Sequence, residues 1–86
     1  MKELEKKFEG KGEVKGYVFE QIDKTSNAYI YRIFNHEFNT LYFEVFKRKE
    51  NTRFDVVSYP NSNSFGIWAW TYNDQMIAYE KYNQIK

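Results

Sequence analysis

The chain has no cysteine, which excludes disulfide bonds, thiolate catalysis and any metal site with cysteine ligands. It has one histidine, His36, so no set of imidazoles is present to hold a metal ion. No apolar run approaches the ~18 residues that a membrane-spanning helix needs. The first ten residues alternate in charge, unlike a secretory signal. These absences predict a cytoplasmic protein with no membrane association, no metal and no cofactor.

An excess of charge of one sign is also missing. Lys and Arg number 13 against 12 Asp and Glu, for a net charge of +1. A nucleic-acid-binding domain is typically strongly basic, with a pI above ~9, so the overall charge does not point to DNA or RNA. What the chain has in abundance is aromatic residues, at 21%, within a hydrophobic share of 42%. With 86 residues, this composition predicts one small globular domain.

The order of the predicted elements is read from hydrophobic periodicity. Leu4 and Phe8 lie four residues apart, which predicts a short helical turn, followed by a glycine-containing hinge, over residues 1–12. Period-two alternation then predicts an antiparallel sheet over 13–72, with five strands at 14–23, 28–34, 41–48, 53–59 and 65–72. Residues 73–86 change to a helical period, which predicts a helix over 74–85. The fold class is therefore α+β, with an antiparallel five-stranded meander that is either open or curled into a partial barrel.

The first hairpin allows a test of the strand register. A three-residue loop at 25–27 brings three cross-strand pairs into one register: Ile22 with Ile30, Val18 with Phe34, and Glu20 with Arg32. Because three pairs agree, the prediction of this hairpin is better supported than the predictions of the other strand pairings.

Alternation sorts the strand residues onto two faces of the sheet. One face collects aliphatic residues and the other collects rings. The helix presents one apolar stripe, formed by Met76, Ala78, Tyr79, Tyr82 and Ile85. We assign this stripe to the aliphatic face, where small Ala69 leaves room for close approach. The aromatic face then lacks a cover, apart from the short N-terminal segment.

An uncovered aromatic face has two structural explanations and one functional one. The sheet curls into a barrel, or two copies of the chain pack face to face, or the rings form a platform for a partner. In the last case the partner-binding residues are six aromatic side chains: Trp68, Trp70, Tyr29, Tyr31, Tyr42 and Tyr17. The polar loop at 59–64 is placed to act as a lip beside this platform.

A basic hairpin tip lies close to these rings. Lys47, Arg48 and Lys49, with Arg53 across the turn, form a rim that can attract an acidic partner. Cations beside flat rings also suit single-stranded nucleic acid, because lysines and arginines contact phosphates while rings stack on bases. The same charges equally suit a solvated tip that protects a hydrophobic strand from aggregation.

No catalytic residues are identified. His36 lies in the loop between two predicted strands, beside Glu37, without a partner motif for general-base work. The twelve acidic residues show no spaced pair that marks acid–base catalysis. The sequence therefore predicts a protein without enzyme activity.

Residues 65–71 read Phe-Gly-Ile-Trp-Ala-Trp-Thr and lead directly into the predicted helix. This run resembles the last strand and helix of AP2-type and phage-integrase arm DNA-binding domains. The resemblance implies a three-stranded antiparallel sheet packed on a C-terminal helix, and DNA binding; no residue roles are carried over. In size, and in its lack of cysteine and of motifs, the chain also resembles phage-encoded inhibitors of bacterial defence.

Three functions follow from these observations. The first is a non-enzymatic protein-binding module, encoded by a phage or another mobile element, that inhibits its partner by covering a surface. The second is a nucleic-acid-binding module that uses the aromatics and the basic tip. The third is a small enzyme or ligand carrier with an interior pocket in a curled sheet.

Overall fold

The computed structural model describes all residues, Met1–Lys86. It contains seven strands, one 3-10 turn and one α-helix. They run in the order β1 (Lys7–Glu9), the 3-10 turn (Gly12–Val14), β2 (Val18–Lys24), β3 (Ala28–Asn35), β4 (Thr40–Lys47), β5 (Glu50–Asn51), β6 (Val56–Val57), β7 (Ala69–Tyr72) and α1 (Gln75–Ile85).

Five strands form one open antiparallel sheet in the order β1-β2-β3-β4-β7, and β5 and β6 form a separate two-stranded hairpin. The α+β class, the five-stranded antiparallel sheet and the C-terminal helix are confirmed. The barrel alternative is wrong, because β1 and β7 remain unpaired edges at opposite ends of the sheet. The helix is too short and too polar to cross a membrane.

The composition of the sheet differs from the prediction at two places. The predicted helical turn around Leu4 and Phe8 is wrong, because Phe8 lies in the edge strand β1 and pairs with Phe19. Of the predicted strand at 53–59, only Val56–Val57 forms a strand, β6, and it pairs with β5 outside the five-stranded sheet. Asn51 accepts the backbone N–H of Phe54 through its side chain, and Asp55 takes a left-handed backbone conformation, with φ 54°. Asn and Asp favour turns of this kind, so the chain reverses there and does not join the sheet.

The hairpin of β2 and β3 has the predicted three-residue loop and most of the predicted register. Val18 pairs with Phe34 and Glu20 with Arg32, and an ion pair of 3.2 Å joins the last two side chains. The predicted pairing of Ile22 with Ile30 is wrong, since a bulge between Gln21 and Asp23 places Asp23 opposite Ile30. A bulge adds one residue to one strand and shifts the pairs beyond it.

The helix covers part of one face of the sheet. Asp74 is the N-cap and accepts the backbone N–H groups of Met76 and Ile77 through its side chain. Ala78 and Tyr82 are buried in a cluster that also contains four sheet residues, Ala28, Ile30, Phe43 and Val45. The assignment of the helix to the aliphatic face is confirmed, although Met76 is 75% exposed and does not join the stripe.

Candidate functional site

The opposite face of the sheet carries the rings, and the same chain covers it. We call this the aromatic face; its buried residues are Phe19, Tyr29, Tyr31, Ile33, Phe46 and Ala69. Two segments lie over it: the N-terminal segment through Leu4 and Phe8, and the 56–68 segment through Val57, Tyr59, Phe65 and Trp68. The expectation that this face lacks a cover is therefore wrong. Local periodicity does not show that two distant segments fold back onto one surface.

The N-terminal segment is held on the aromatic face by a hydrogen-bonded network around Arg48. The guanidinium contacts Glu3 at 2.7 Å and Glu50 at 3.0 Å, and it donates to the Tyr29 hydroxyl at 2.7 Å. That hydroxyl in turn donates to Glu3 at 2.8 Å. Hydrogen bonds from Arg48 and Tyr29 lower the pKa of Glu3 to about 2, and burial together with Glu3 raises the pKa of Tyr29 to about 12. Arg48 thus joins the N-terminus to the sheet.

Between the two covering segments lies an open groove of about 960 Å³, which we call the N-terminal groove. Its walls are formed by residues 2–11 on one side and residues 56–65 on the other. Its lining includes five rings, those of Phe8, Phe19, Tyr42, Tyr59 and Phe65. The groove is thus a largely apolar concavity, the usual shape of a ligand site.

One of the carboxylates in the groove lining is buried. Glu44 projects from the middle of β4 onto the aromatic face and is 8% exposed. The Tyr59 hydroxyl donates a hydrogen bond of 2.5 Å to Glu44 Oε1. None of the ion pairs of the chain involves Glu44. Glu44 is therefore a buried acid whose only side-chain partner is a neutral tyrosine.

This environment disfavours ionisation of both groups. Burial raises the pKa of Glu44, and the hydrogen bond from Tyr59 opposes that rise only in part. Burial and the Glu44 carboxylate raise the pKa of Tyr59 well above its ordinary value. Burial and Glu44 likewise raise the pKa of Tyr42 to about 12. No lysine or arginine lies where it would lower the pKa of Glu44.

Replacing Glu44 by glutamine should stabilise the fold above pH 4.5. The pKa of Glu44 is higher in the folded chain than in the unfolded chain. Protonated Glu44 therefore makes its full contribution to the free energy of unfolding below pH 4.5. That contribution is lost as the pH rises through the folded-state pKa. Glutamine stays neutral and can still accept the Tyr59 hydrogen bond, so it avoids this loss. Each unit of raised pKa corresponds to about 1.4 kcal/mol.

Urea unfolding of both proteins from pH 3 to pH 8 measures this difference. The gain from Glu44→Gln should be small at the acid end and grow as the pH rises to neutrality. The other charged groups of the groove, Lys2, Glu3, Glu5, Glu9 and Lys11, are the same in both proteins, so the comparison isolates residue 44. Glu80→Gln, at an exposed carboxylate on the helix, removes the same charge and should show no such trend. A pH-independent difference for Glu44→Gln would contradict the prediction.

The structure separates the six aromatic residues predicted to bind a partner. Tyr29 and Tyr31 are 0% exposed, so no partner reaches them in this fold. Tyr17 and Tyr42 are half-buried and contact each other edge to face, and Tyr42 also lines the N-terminal groove.

The two tryptophans do not share a face. Trp68 packs against the aromatic cluster, whereas Trp70 pairs with Val45 on the helix side and lies under Lys81, with Nζ 4.0 Å from its ring centre. The placement of Ala69 on the aliphatic face is also wrong. Ser64 accepts three backbone N–H groups from a turn at 67–69, which interrupts the alternation before β7 begins.

The four cations of the predicted basic rim are also dispersed. Arg48 is paired with two carboxylates, so its charge is already neutralised. Lys49 lies over the Trp68 ring, and Arg53 over the Phe54 ring. Lys47 lines a second, more polar cleft of about 770 Å³ together with Arg48, Trp70 and Lys81. The rim is thus not one continuous positive surface.

The hydrogen bond between Glu44 and Tyr59 is not predicted by the sequence. Alternation places Glu44 on the aromatic face, and the loop that begins at Tyr59 is expected to form a lip. Their contact spans 15 residues and depends on the turn at 51–55, which local patterns do not reveal. His36 contacts Phe34 edge to face in the loop after β3 and lies outside the groove.

No protein-family model, curated protein or solved structure matches this chain. The chain has no group of three or more His, Cys, Asp or Glu side chains placed to hold a metal ion. Evidence for function therefore comes from the groove itself.

Proposed function

We propose that this protein is a non-enzymatic protein-binding module that receives a segment of a partner polypeptide in the N-terminal groove. The observation that carries the proposal is the groove itself, which combines apolar rings with a single buried carboxylate. A large apolar concavity with few polar groups is the common form of a recognition site. The groove is open to solvent and not enclosed, which suits a chain segment lying along it.

Two further features support a binding role. The walls belong to the N-terminal segment and to the 56–65 loop, and loops positioned by a rigid sheet are common sites of recognition. Rings such as Tyr42 and Tyr59 supply large contact areas with few rotatable bonds, which is the property of interface anchors. Inhibition of a partner by covering its surface is consistent with this role.

Selection of peptides from a random display library, with purified protein as target, tests the proposal. Ser62 is exposed on the groove lining, so Ser62→Trp should block the groove without disturbing the core. Asn83→Trp places the same side chain on an exposed helix position outside the groove. Selected peptides should bind the wild type and the Asn83→Trp variant equally, and Ser62→Trp at least tenfold more weakly. Equal binding to all three proteins would overturn the proposal.

The nucleic-acid alternative draws support from the second cleft, which Lys47 and Lys81 line together with Trp70. We rank it second because Lys81 already occupies one face of the Trp70 ring and Arg48 is neutralised. Binding of oligonucleotides that falls steeply between about 50 and 200 mM salt, and that Lys47→Glu reduces, would favour it. Absence of binding at the lower salt concentration would remove it.

A further inference from the structure

We infer that Glu44 and Tyr59 form an anchor subsite for one positively charged side chain, lysine or arginine, of the partner polypeptide. The inference rests on the proposed function, because it names the residue of the partner that the groove would select. It is argued from the partners, the exposure and the surroundings of the Glu44 carboxylate.

Glu44 has no counter-charge within the chain. A carboxylate removed from water is stable only when it is paired or well hydrogen-bonded. Glu44 is 8% exposed, and no cation of the chain contacts it, although lysines and arginines form ion pairs with Glu3, Glu20 and Glu50. The chain alone thus leaves the charge of ionised Glu44 uncompensated, which is why burial disfavours its ionisation. A cation from outside the chain would compensate it.

Only one of the two carboxylate oxygens of Glu44 has a hydrogen-bond partner within the chain. Oε1 accepts the Tyr59 hydrogen bond, while Oε2 accepts none from the chain. Oε2 is not sealed from solvent, and Glu44 belongs to the lining of the groove. One acceptor position is thus free and faces the concavity. An ammonium or guanidinium group supplies the charge-assisted donor that this position lacks.

The carboxylate of Glu44 shares the groove with several aromatic rings. Rings of Phe8, Tyr42 and Phe65 line the same groove, and the methylene stems of lysine and arginine pack well on such surfaces. The faces of aromatic rings also attract cations. A neutral apolar residue of the partner would fill the groove but leave Oε2 unpaired.

The charges around Glu44 in the groove are balanced. The lining carries four carboxylates and two lysines: Glu3, Glu5, Glu9 and Glu44 against Lys2 and Lys11. Glu3 is neutralised by Arg48, which leaves Glu5 and Glu9 against the two lysines around Glu44. The surroundings of Glu44 therefore do not repel an approaching cation.

The test uses peptides that bind the groove, each compared with a copy in which lysine or arginine is replaced by norleucine. Binding is measured to the wild type, to Glu44→Gln, and to Glu80→Gln as the matched loss of charge. In each peptide, norleucine in place of the one lysine or arginine that binds the subsite should weaken binding to the wild type and to Glu80→Gln at least tenfold. The same replacement should change binding to Glu44→Gln by less than threefold. Circular dichroism shows that each variant is folded.

A second arm does not depend on peptides. In NMR titrations, n-butylammonium should shift the resonances of Tyr42, Glu44 and Tyr59 in the wild type. It should not shift those of Tyr42 and Tyr59 in Glu44→Gln, and in both proteins the shifts with 1-butanol should be smaller than those with n-butylammonium in the wild type.

The results separate the two proposals. Peptides that bind the groove with no loss on norleucine replacement would overturn the cation subsite and leave the protein-binding function standing. Failure of every peptide to bind the groove, with n-butylammonium binding that depends on Glu44, would overturn the protein-binding function and leave a site for small cations. Equal shifts with n-butylammonium and 1-butanol would overturn the subsite.

Discussion

Replacing Phe46 by alanine should lower the free energy of unfolding by about 3–5 kcal/mol, a large part of the stability of so small a domain. Phe46 is 0% exposed and lies at the centre of the aromatic face. Its ring stacks on Tyr29 at 5.4 Å and on Tyr31 at 5.8 Å, and it meets Tyr59 edge to face at 4.9 Å. Alanine would leave a cavity that the surrounding rings are too rigid to fill.

Urea unfolding at pH 7, followed by circular dichroism, measures the change. Phe54→Ala is the matched control, because the same side chain is removed at a position that is 66% exposed in the turn between β5 and β6. The control should change the free energy of unfolding by no more than about 0.5 kcal/mol. Similar losses for the two variants would show that the aromatic face is not the core of this domain.

Replacing Phe8 by alanine should uncover the aromatic face and cost somewhat less than the roughly 3–5 kcal/mol of a fully buried phenylalanine. Phe8 stacks on Phe19 at 4.8 Å and contacts Tyr31 and Tyr59 edge to face. It is half-buried because it also lines the N-terminal groove. Its loss weakens the packing of β1, which pairs only with β2.

The readouts are the unfolding midpoint in urea and the fluorescence of a dye that binds exposed apolar surface. Phe8→Ala should lower the midpoint and raise the dye signal. Phe38→Ala removes a ring that is 68% exposed in the turn between β3 and β4, and it should change neither. An unchanged midpoint for Phe8→Ala would mean that the N-terminal segment does not cover the sheet in solution.

The Phe8 prediction bears on the groove as well as on stability. Phe8 is both a part of the cover and a part of the groove wall, so its removal should weaken partner binding together with folding. Glu44→Gln should instead weaken binding of a cationic partner while stabilising the fold. Opposite effects on stability and binding are typical of a functional residue that is kept at a cost to the fold.

The sequence by itself determined the features that depend on residues close together in the chain. The loop at 25–27 and the pairs of Val18 with Phe34 and Glu20 with Arg32 follow from turn chemistry and period-two alternation. The helix follows from the change from a strand period to a helical period in the hydrophobic pattern. The face of the sheet on which it packs follows from the alternation of aliphatic residues in β3 and β4. Each of these features is local, or joins adjacent strands through a short loop, so few alternatives compete with it.

Tertiary structure alone decided what covers the aromatic face. The pairing of β1 with β2, the return of the 56–68 segment and the contact of Tyr59 with Glu44 all join distant parts of the chain. The face of Trp70 depended on where β7 begins, because a shift of one residue moves every following side chain to the other side of a sheet. These arrangements are stabilised by the burial of aromatic rings against one another. The rings come from segments far apart in the sequence, so the pattern within any one segment does not predict their contact.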